Sequence, residues 1–357
     1  MYEKRREQVA KRMQAEGVGH LVISDPASIF YLTGTWFHPG ERLIVLHMQA
    51  DGSLKIVINE LFPLTTDIGA EVVWYNDTKD GIAYLAQGIE GGSVIGVDKF
   101  WAAHFLLRLM DAKPEYKYIN GSVFIDRVRM QKDEAEREFM RTASRLNDEA
   151  MAQMVVLAKT GLSELEMVKK LSEIYENLST DGFSFGPIIA YGANGADPHH
   201  ECDNSVPKKG DSIIIDIGCK KDDYCSDMTR TIFFGEPSEK GREVYETVKE
   251  ANLRAIAVVK PGVKFSEIDL AARAYIESKG YGQFFTHRTG HSIGLDVHDF
   301  GDVSAINHDE VAEGMIFSIE PGIYLAGEVG VRIEDLVLVT KDGCEVLNQY
   351  EKNLLIV

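Results

Sequence analysis

The chain is short of cysteine, of positive charge and of long apolar runs, and each shortage removes a class of protein. Its four cysteines, Cys202, Cys219, Cys225 and Cys344, form no Cys-x-x-Cys pair, so neither a zinc ribbon nor a disulfide framework is indicated. Lys and Arg number 38 against 56 Asp and Glu, a formal net charge of −18. That balance argues against nucleic acid or an anionic membrane as partner. No run approaches the roughly 18 apolar residues of a membrane span. The opening MYEKRREQVAKRMQAEG is a charged amphipathic helix without the apolar region of a secretory signal, and the expected location is cytoplasmic. No glycine-rich loop follows a strand-like run, which leaves nucleotide binding without support, and no HExxH helix is present.

What is present reads as a soluble globular protein, with 45% hydrophobic and 26% charged residues. A length of 357 residues is large for one core and predicts two domains. A helix over 1–17 is followed by strand-like runs at 20–24, 43–47, 55–59, 72–75 and 93–98. Helical patterns at 79–88 and 101–111 alternate with them, which predicts a small α/β domain with a mixed or parallel sheet. The pattern breaks at Asn120-Gly121, so the expected domains are 1–123 and 124–357. A long helix then covers about 132–159. A second begins at Ser163, with Glu166 in capping-box position, and runs to about residue 178.

The stretch 158–185 resembles 259–284. Each has Lys-x-Gly, then Ser-Glu-aliphatic-acidic, an amphipathic helix, and a glycine and aromatic exit. Ser163 aligns with Ser266 across a two-residue gap. As a duplication, this predicts two halves related by a pseudo-two-fold axis, with a site between them.

Chemistry concentrates in 211–235, DSIIIDIGCKKDDYCSDMTRTIFFG. A β-branched run ending on Asp216, a turn-rich segment and a second run led by Asp227 predict a hairpin. Its strands bring the two carboxylates together, and such a pair repels unless a proton or a cation lies between. Four other stretches carry polar groups beside apolar ones. FTHRTGHSIGLDVHD (285–299) holds His287, His291 and His298. In GMIFSIEPGIY (314–324), Glu320 ends an apolar strand. In GVRIEDLVLVT (330–340), Arg332 and Glu334 share the face opposite Ile333. YGANGADPHH (191–200) bears His199 and His200. Singly, each residue is of a kind commonly solvated. Together, two Asp, two Glu and one His make a carboxylate-rich set suited to two divalent ions such as Mn²⁺, Co²⁺, Fe²⁺ or Zn²⁺.

DIGCKKDDYCSDMTRT, HRTGHSIGLDVH, IEPGIY and GVRIED are similar to the motif series of the pita-bread metallopeptidases, within the prolidase and Xaa-Pro aminopeptidase branch. YLTG (31–34) and RMQKDEAEREFMR (129–141) resemble that branch's creatinase-type N-domain and interdomain segment. The resemblance implies an α/β creatinase-like N-terminal domain and an α+β pita-bread catalytic domain with pseudo-two-fold symmetry. It implies metal ligands Asp216, Asp227, His291, Glu320 and Glu334, with Asp227 and Glu334 bridging two ions, Mn²⁺ or Co²⁺ ahead of Zn²⁺ or Fe²⁺. Glu320 is also the implied general base toward a bridging hydroxide. His199, His287 and His298 match the non-ligand histidines that orient substrate and stabilise the tetrahedral intermediate. Arg332 matches a positive charge that meets a substrate carboxylate or steadies the metal carboxylates.

The implied activity is hydrolysis of Xaa-Pro bonds in small peptides with proline second, as a dipeptidase (prolidase). The alternatives are an Xaa-Pro aminopeptidase on longer peptides and a member recruited to amide hydrolysis or lyase chemistry on a small metabolite. A homodimer is implied, with the loop 35–42, bearing His38 and Arg42, reaching the partner's site. Phe300-Gly301-Asp302 departs from the proline or basic residue found there in relatives. The group that binds the substrate carboxylate therefore stays open.

Overall fold

Apolar strands and amphipathic helices alternate through the first 129 residues because each strand must be covered on both faces. The computed structural model describes all of residues 1–357. The chain divides into two units, Met1–Arg129 and Met130–Val357. The first contains α1 (Tyr2–Ala15), β1 (His20–Ile23), α2 (Pro26–Thr33), β2 (Ile44–Gln49), β3 (Leu54–Asn59) and β4 (Glu71–Tyr75). It continues with α3 (Gly81–Gln87), β5 (Val94–Val97), α4 (Ala103–Ala112), β6 (Lys117–Asn120) and α5 (Ser122–Arg129). Its six strands form one mixed sheet in the order β4-β3-β2-β1-β5-β6, with β1–β2 and β2–β3 antiparallel and the other pairs parallel. All five expected strands are present.

Two short helices go beyond the expectation. Asp25 caps α2, with Pro26 at its first position, where a missing N–H costs nothing. α5 packs with α1, so the division falls at Arg129/Met130 rather than at 123/124. The Asn120-Gly121 break is the junction between β6 and α5 inside the first unit.

The second unit begins with α6 (Glu134–Ala158) and α7 (Glu164–Asn177), followed by β7 (Ile188–Tyr191), β8 (Ser212–Ile217), β9 (Lys220–Lys221), β10 (Tyr224–Cys225) and β11 (Met228–Phe233). Then come α8 (Glu239–Val258), α9 (Phe265–Ser278), β12 (Gly290–His291) and β13 (Asp302–Val303). β14 (Ile316–Ile319), β15 (Gly322–Leu325), β16 (Val329–Arg332), β17 (Asp335–Val339) and β18 (Cys344–Val346) complete it. The element order repeats. A helix pair, α6 and α7, precedes the sheet β11-β8-β7, and a second pair, α8 and α9, precedes the sheet β14-β17-β18. Each pair buries an apolar stripe against its own half. Met151, Met154 and Leu171 pack with Ile213 and Ile215, and Val248, Ala251 and Ile268 pack with Phe317 and Val337.

The repeat aligns without a gap. Glu166 accepts a hydrogen bond from the Ser163 N–H at 2.8 Å, and Glu267 from the Lys264 N–H at 2.9 Å. Two residues before each cap lies a glycine in the left-handed region, Gly161 at φ 70° and Gly262 at φ 86°. Ser163 therefore corresponds to Lys264. Ser266 lies inside α9, because the carboxylate at the third helical position, not the cap side chain, is the feature the two halves share.

Candidate metal centre

Four carboxylates stand at the ends of two antiparallel strand pairs. Asp216 is the penultimate residue of β8, and Asp227 immediately precedes β11, whose Met228 lies opposite Ile217. Asp222 and Asp223 turn the chain between β9 and β10 with φ of 51° and 70°, the left-handed pair that a tight type I′ hairpin needs. In the other half Glu320 follows β14 and Glu334 precedes β17, whose Asp335 lies opposite Ile319.

Two glycines bring the remaining groups in. A Cβ on Gly290 would lie 1.9 Å from Ser318 O, so only glycine lets β12 close on β14 and carry His291 inward. The His291 N–H then donates to Ser318 Oγ at 3.0 Å, and that hydroxyl donates to Glu320 Oε1 at 3.1 Å. A Cβ on Gly330 would lie 1.7 Å from Gly195 O. β16 and the loop 192–200 therefore meet backbone to backbone, and Arg332 Nη1 donates to Pro198 O at 3.4 Å.

The result is one cavity of about 560 Å³ lined by Asp216, Asp227, His291, Glu320 and Glu334, and also by His199, His287, His298 and Arg332. The nine residues to which the resemblance gives ligand or catalytic roles all line it, whereas His200, His38 and Arg42 do not. Asp227, His291 and Glu334 each offer an atom within 4.8 Å of the others. His291 Nε2 lies 3.4 Å from Glu320 Oε1 and 3.6 Å from Asp227 Oδ2. Its Nδ1 is 3.1 Å from Ser292 O, so Nδ1 carries the proton and Nε2 presents its lone pair to the carboxylates.

Arg332 Nη2 pairs with Asp216 Oδ2 at 2.5 Å, and Thr229 Oγ1 donates to Glu334 Oε2 at 2.7 Å. Asp216 Oδ1, Asp227 Oδ1 and Glu334 Oε1 remain buried without a hydrogen-bond partner. Buried carboxylate oxygens are costly when unpaired. Four carboxylates facing two guanidiniums, buried Arg332 and exposed Arg288, leave negative charge that a cation would offset. The donors, four carboxylates and one imidazole, fit divalent metal ions.

Electrostatics point the same way. Burial, then neighbouring carboxylates, push Asp227 and Glu334 well above the ordinary carboxylate range. Burial raises Glu320 to about 7 against the pull of Arg332. Burial and the nearby His298 depress His291 to about 3, which keeps it neutral as a ligand must be.

The histidines divide into two kinds. His287 Nδ1 lies 2.7 Å from Arg288 O, and its Nε2 is 2.8 Å from Tyr324 Oη, which also accepts from Arg332 Nη1 at 3.1 Å. Nδ1 must donate to the carbonyl, so Nε2 accepts from the tyrosine hydroxyl and both ring nitrogens are engaged. The His298 ring stands edge-on to His291 at 4.3 Å between centroids, and His199 is exposed to the cavity.

His200 turns away from the cavity, its Nε2 2.6 Å from buried Glu164 Oε2. In the first unit Arg42 is held by Asp77 at 2.9 Å and His38 is exposed. Tyr324, Thr229 and Arg288 escaped the sequence reading. Arg288 and Tyr324 lie inside motifs already marked out, beside His287 and four residues after Glu320. An Arg or Tyr at such a place was the available signal.

Comparison with known proteins decides the lineage. Residues 138–341 match the model of metallopeptidase family M24, and residues 5–131 match the creatinase/prolidase N-terminal domain. The chain belongs to metallopeptidase family M24. A peptidase of Staphylococcus aureus is 35% identical over 335 residues, 92% of this chain and 94% of the relative. Among solved structures, a dipeptidase from Pyrococcus horikoshii superposes with a TM-score of 0.93 at 34% identity, covering 99% of this chain and 100% of that one. A prolidase from Thermococcus sibiricus gives 0.92 at 32% identity, covering 100% and 99%. The architecture is therefore a creatinase-like N-terminal domain followed by a pita-bread domain, and membership of this metallopeptidase family implies divalent metal ions. No helix of the chain is long and apolar enough to cross a membrane.

Proposed function

We propose that this family M24 member is a metal-dependent exopeptidase that hydrolyses Xaa-Pro bonds, with the dipeptide as its preferred substrate. The observation that carries the reading is the buried set Asp216, Asp227, His291, Glu320 and Glu334, in which three carboxylate oxygens lack any protein partner. The similar dipeptidase and prolidase structures support the substrate class. The five residues would hold two divalent ions, Mn²⁺ or Co²⁺, with Asp227 and Glu334 shared between them. When bound, such ions supply Lewis acidity and make water nucleophilic near neutral pH.

The protein's own groups do the rest. Glu320, raised to about 7 by burial, takes the proton of the attacking water and returns it to the prolyl nitrogen as that leaves. His199 and His298, whose rings make no hydrogen bond within the protein, donate to the oxygen that gains charge on the scissile carbonyl. His287, Tyr324 and Arg332 form a fixed chain that holds Asp216 in place. Phe185, Ile188 and Val297 give the cavity an apolar wall against which the pyrrolidine ring packs, and proline has no N–H to be left unpaired there. Arg288 at the rim is the group we assign to the substrate's terminal carboxylate. A homodimer with residues 35–42 near the partner's cavity, and a cytoplasmic location, belong to the same proposal.

The test is hydrolysis of Ala-Pro beside Ala-Pro-Ala by chelator-treated protein with Mn²⁺ or Co²⁺ restored. Cleavage of the dipeptide supports the proposal. Preference for the tripeptide moves the assignment to an aminopeptidase, and inertness toward both with either ion sinks the proline reading.

A further inference from the structure

The two halves share more than their helix pairs. α6 is capped by Asp133 and α8 by Ser238, and fourteen residues beyond each cap stands a fully buried asparagine, Asn147 in one and Asn252 in the other. Asn147 Nδ2 donates to Ile217 O at 2.8 Å. Asn252 Nδ2 donates to Ile319 O at 2.9 Å and is 3.4 Å from Ile333 O. Ile217 and Ile319 are equivalent in the strand register. Ile217 lies opposite Met228, which follows Asp227, and Ile319 lies opposite Asp335, which follows Glu334. Each amide thus grips the strand end that carries one half's pair of carboxylates. Asp216 and Glu320 flank the gripped residues on opposite sides, and Asn252 also reaches the carbonyl just before Glu334.

Each amide is held in turn at its other end. Asn147 Oδ1 accepts from the Tyr175 hydroxyl at 2.7 Å. Asn252 Oδ1 accepts from Lys352 Nζ at 3.1 Å, and that ammonium pairs with Asp335 Oδ2 at 2.6 Å. Buried asparagine in the middle of a long helix is disfavoured by propensity and by desolvation. Packing alone would be met by leucine. We propose that Asn147 and Asn252 are a symmetry-related pair of positioning residues that fix the two strand ends at the separation the divalent ions require. Carboxylates that repel one another would otherwise spread, and a backbone anchor on a rigid helix resists that spread in each half independently. The inference rests on the metal reading of the site.

The experiment titrates Co²⁺ into chelator-treated protein, reading affinity by calorimetry and coordination by visible absorption, with a denaturant melt of the metal-free protein in parallel. Asn147→Leu and Asn252→Leu remove the donors at nearly constant volume. Each is expected to weaken Co²⁺ binding about tenfold to a hundredfold and to alter the Co²⁺ spectrum. Tyr175→Phe and Lys352→Met release the far end of each amide while leaving the asparagine in place. They carry the test if the leucine variants do not fold, with a smaller weakening in the same direction. Parental affinity and spectrum in every folded variant, with only the melt shifted, would reduce both asparagines to packing residues. Failure of the parent protein to take up Co²⁺ overturns the metal reading itself and this inference with it.

Discussion

Arg332 reaches across from β16 to Asp216, its Nη2 2.5 Å from Asp216 Oδ2, and leaves Asp216 Oδ1 buried without a partner. The guanidinium thus spends its charge on one oxygen and aims the other into the cavity. Its Nε also donates to Thr229 Oγ1 at 3.2 Å, the hydroxyl that holds Glu334. Arg332→Gln therefore loosens two carboxylates at once. Activity should fall about a hundredfold, at the upper end of what removal of an outer-shell partner costs. Steady-state kinetics with metal content measured on the same sample checks this. Unchanged kcat/KM would show that Arg332 holds nothing the reaction needs.

Removing a carboxylate should have opposite effects on activity and on metal-free stability. Asp227→Asn or Glu334→Gln deletes a charge that buried neighbours oppose. Nearly all activity should be lost, since on the proposed reading each substitution removes a ligand shared between the ions. The metal-free variant should nonetheless gain about 1 kcal/mol or more, roughly 2–4 °C in melting temperature for a unit of this size. A variant that is both inactive and less stable would mean the carboxylates are held by the protein and do not await a cation.

The same physics fixes a pH dependence. Asp227, Glu334 and Glu320 have folded-state pKa values above the unfolded ones, Glu320 at about 7. The unfolded chain therefore releases these protons first as pH rises, and the contribution of these three carboxylates to metal-free stability is present at low pH and lost as pH climbs toward 7. Bound metal replaces those protons. The melting-temperature gap between metal-loaded and metal-free protein should accordingly widen between about pH 5 and pH 7.5. A gap that narrows over that range contradicts the raised pKa values of these buried carboxylates.

Much of this site was legible because strand periodicity exposes it. A β-branched run ending on Asp216, and Arg332 and Glu334 flanking buried Ile333, follow from a period of two residues. What stayed hidden depends on contacts far apart in sequence. Asn147 and Asn252 sit in helices where a polar residue reads as solvated, and only the fold shows them buried against Ile217 and Ile319. Tyr324 lies in a marked motif without a role there, because only the fold puts its hydroxyl between His287 and Arg332. The repeat was visible but out of register, since Ser266 resembles Ser163 while Lys264 stands at its place and Glu267 does the work of Glu166. The capped start of α2, Asp25-Pro26, was readable and overlooked.

His291 and His298 stand 4.3 Å apart, ring to ring, yet only His291 has its far nitrogen anchored on a backbone carbonyl and its near one turned to Asp227 and Glu320. His291→Ala should lower metal content, while His298→Ala should lower turnover with metal content kept. Elemental analysis of the two variants, purified side by side, decides it. Equal metal loss in both would make His298 a ligand and reverse the roles assigned here.

The proposed dipeptide preference rests on Arg288, to which the sequence motifs assign no role. Arg288 is exposed, lines the cavity beside His287, and is engaged in no salt bridge or side-chain hydrogen bond. A free guanidinium at the mouth of an otherwise acidic cavity is matched to one substrate feature, the terminal carboxylate of a short peptide. A charge-assisted bond of this kind is worth about 1.5–3 kcal/mol, and partial exposure brings that to the lower end. Arg288→Ala should raise KM for Ala-Pro about tenfold and leave kcat within a factor of about two, because the carboxylate is bound alike in ground and transition states. Arg288→Lys should recover part of the loss. With Ala-Pro-Ala, whose carboxylate lies one residue farther out, the same substitution should cost little. The ratio of the two substrates' kcat/KM is therefore the quantity to measure. If Arg288→Ala lowers kcat for both peptides equally, the guanidinium acts on the reacting groups, and the dipeptide preference must come from elsewhere.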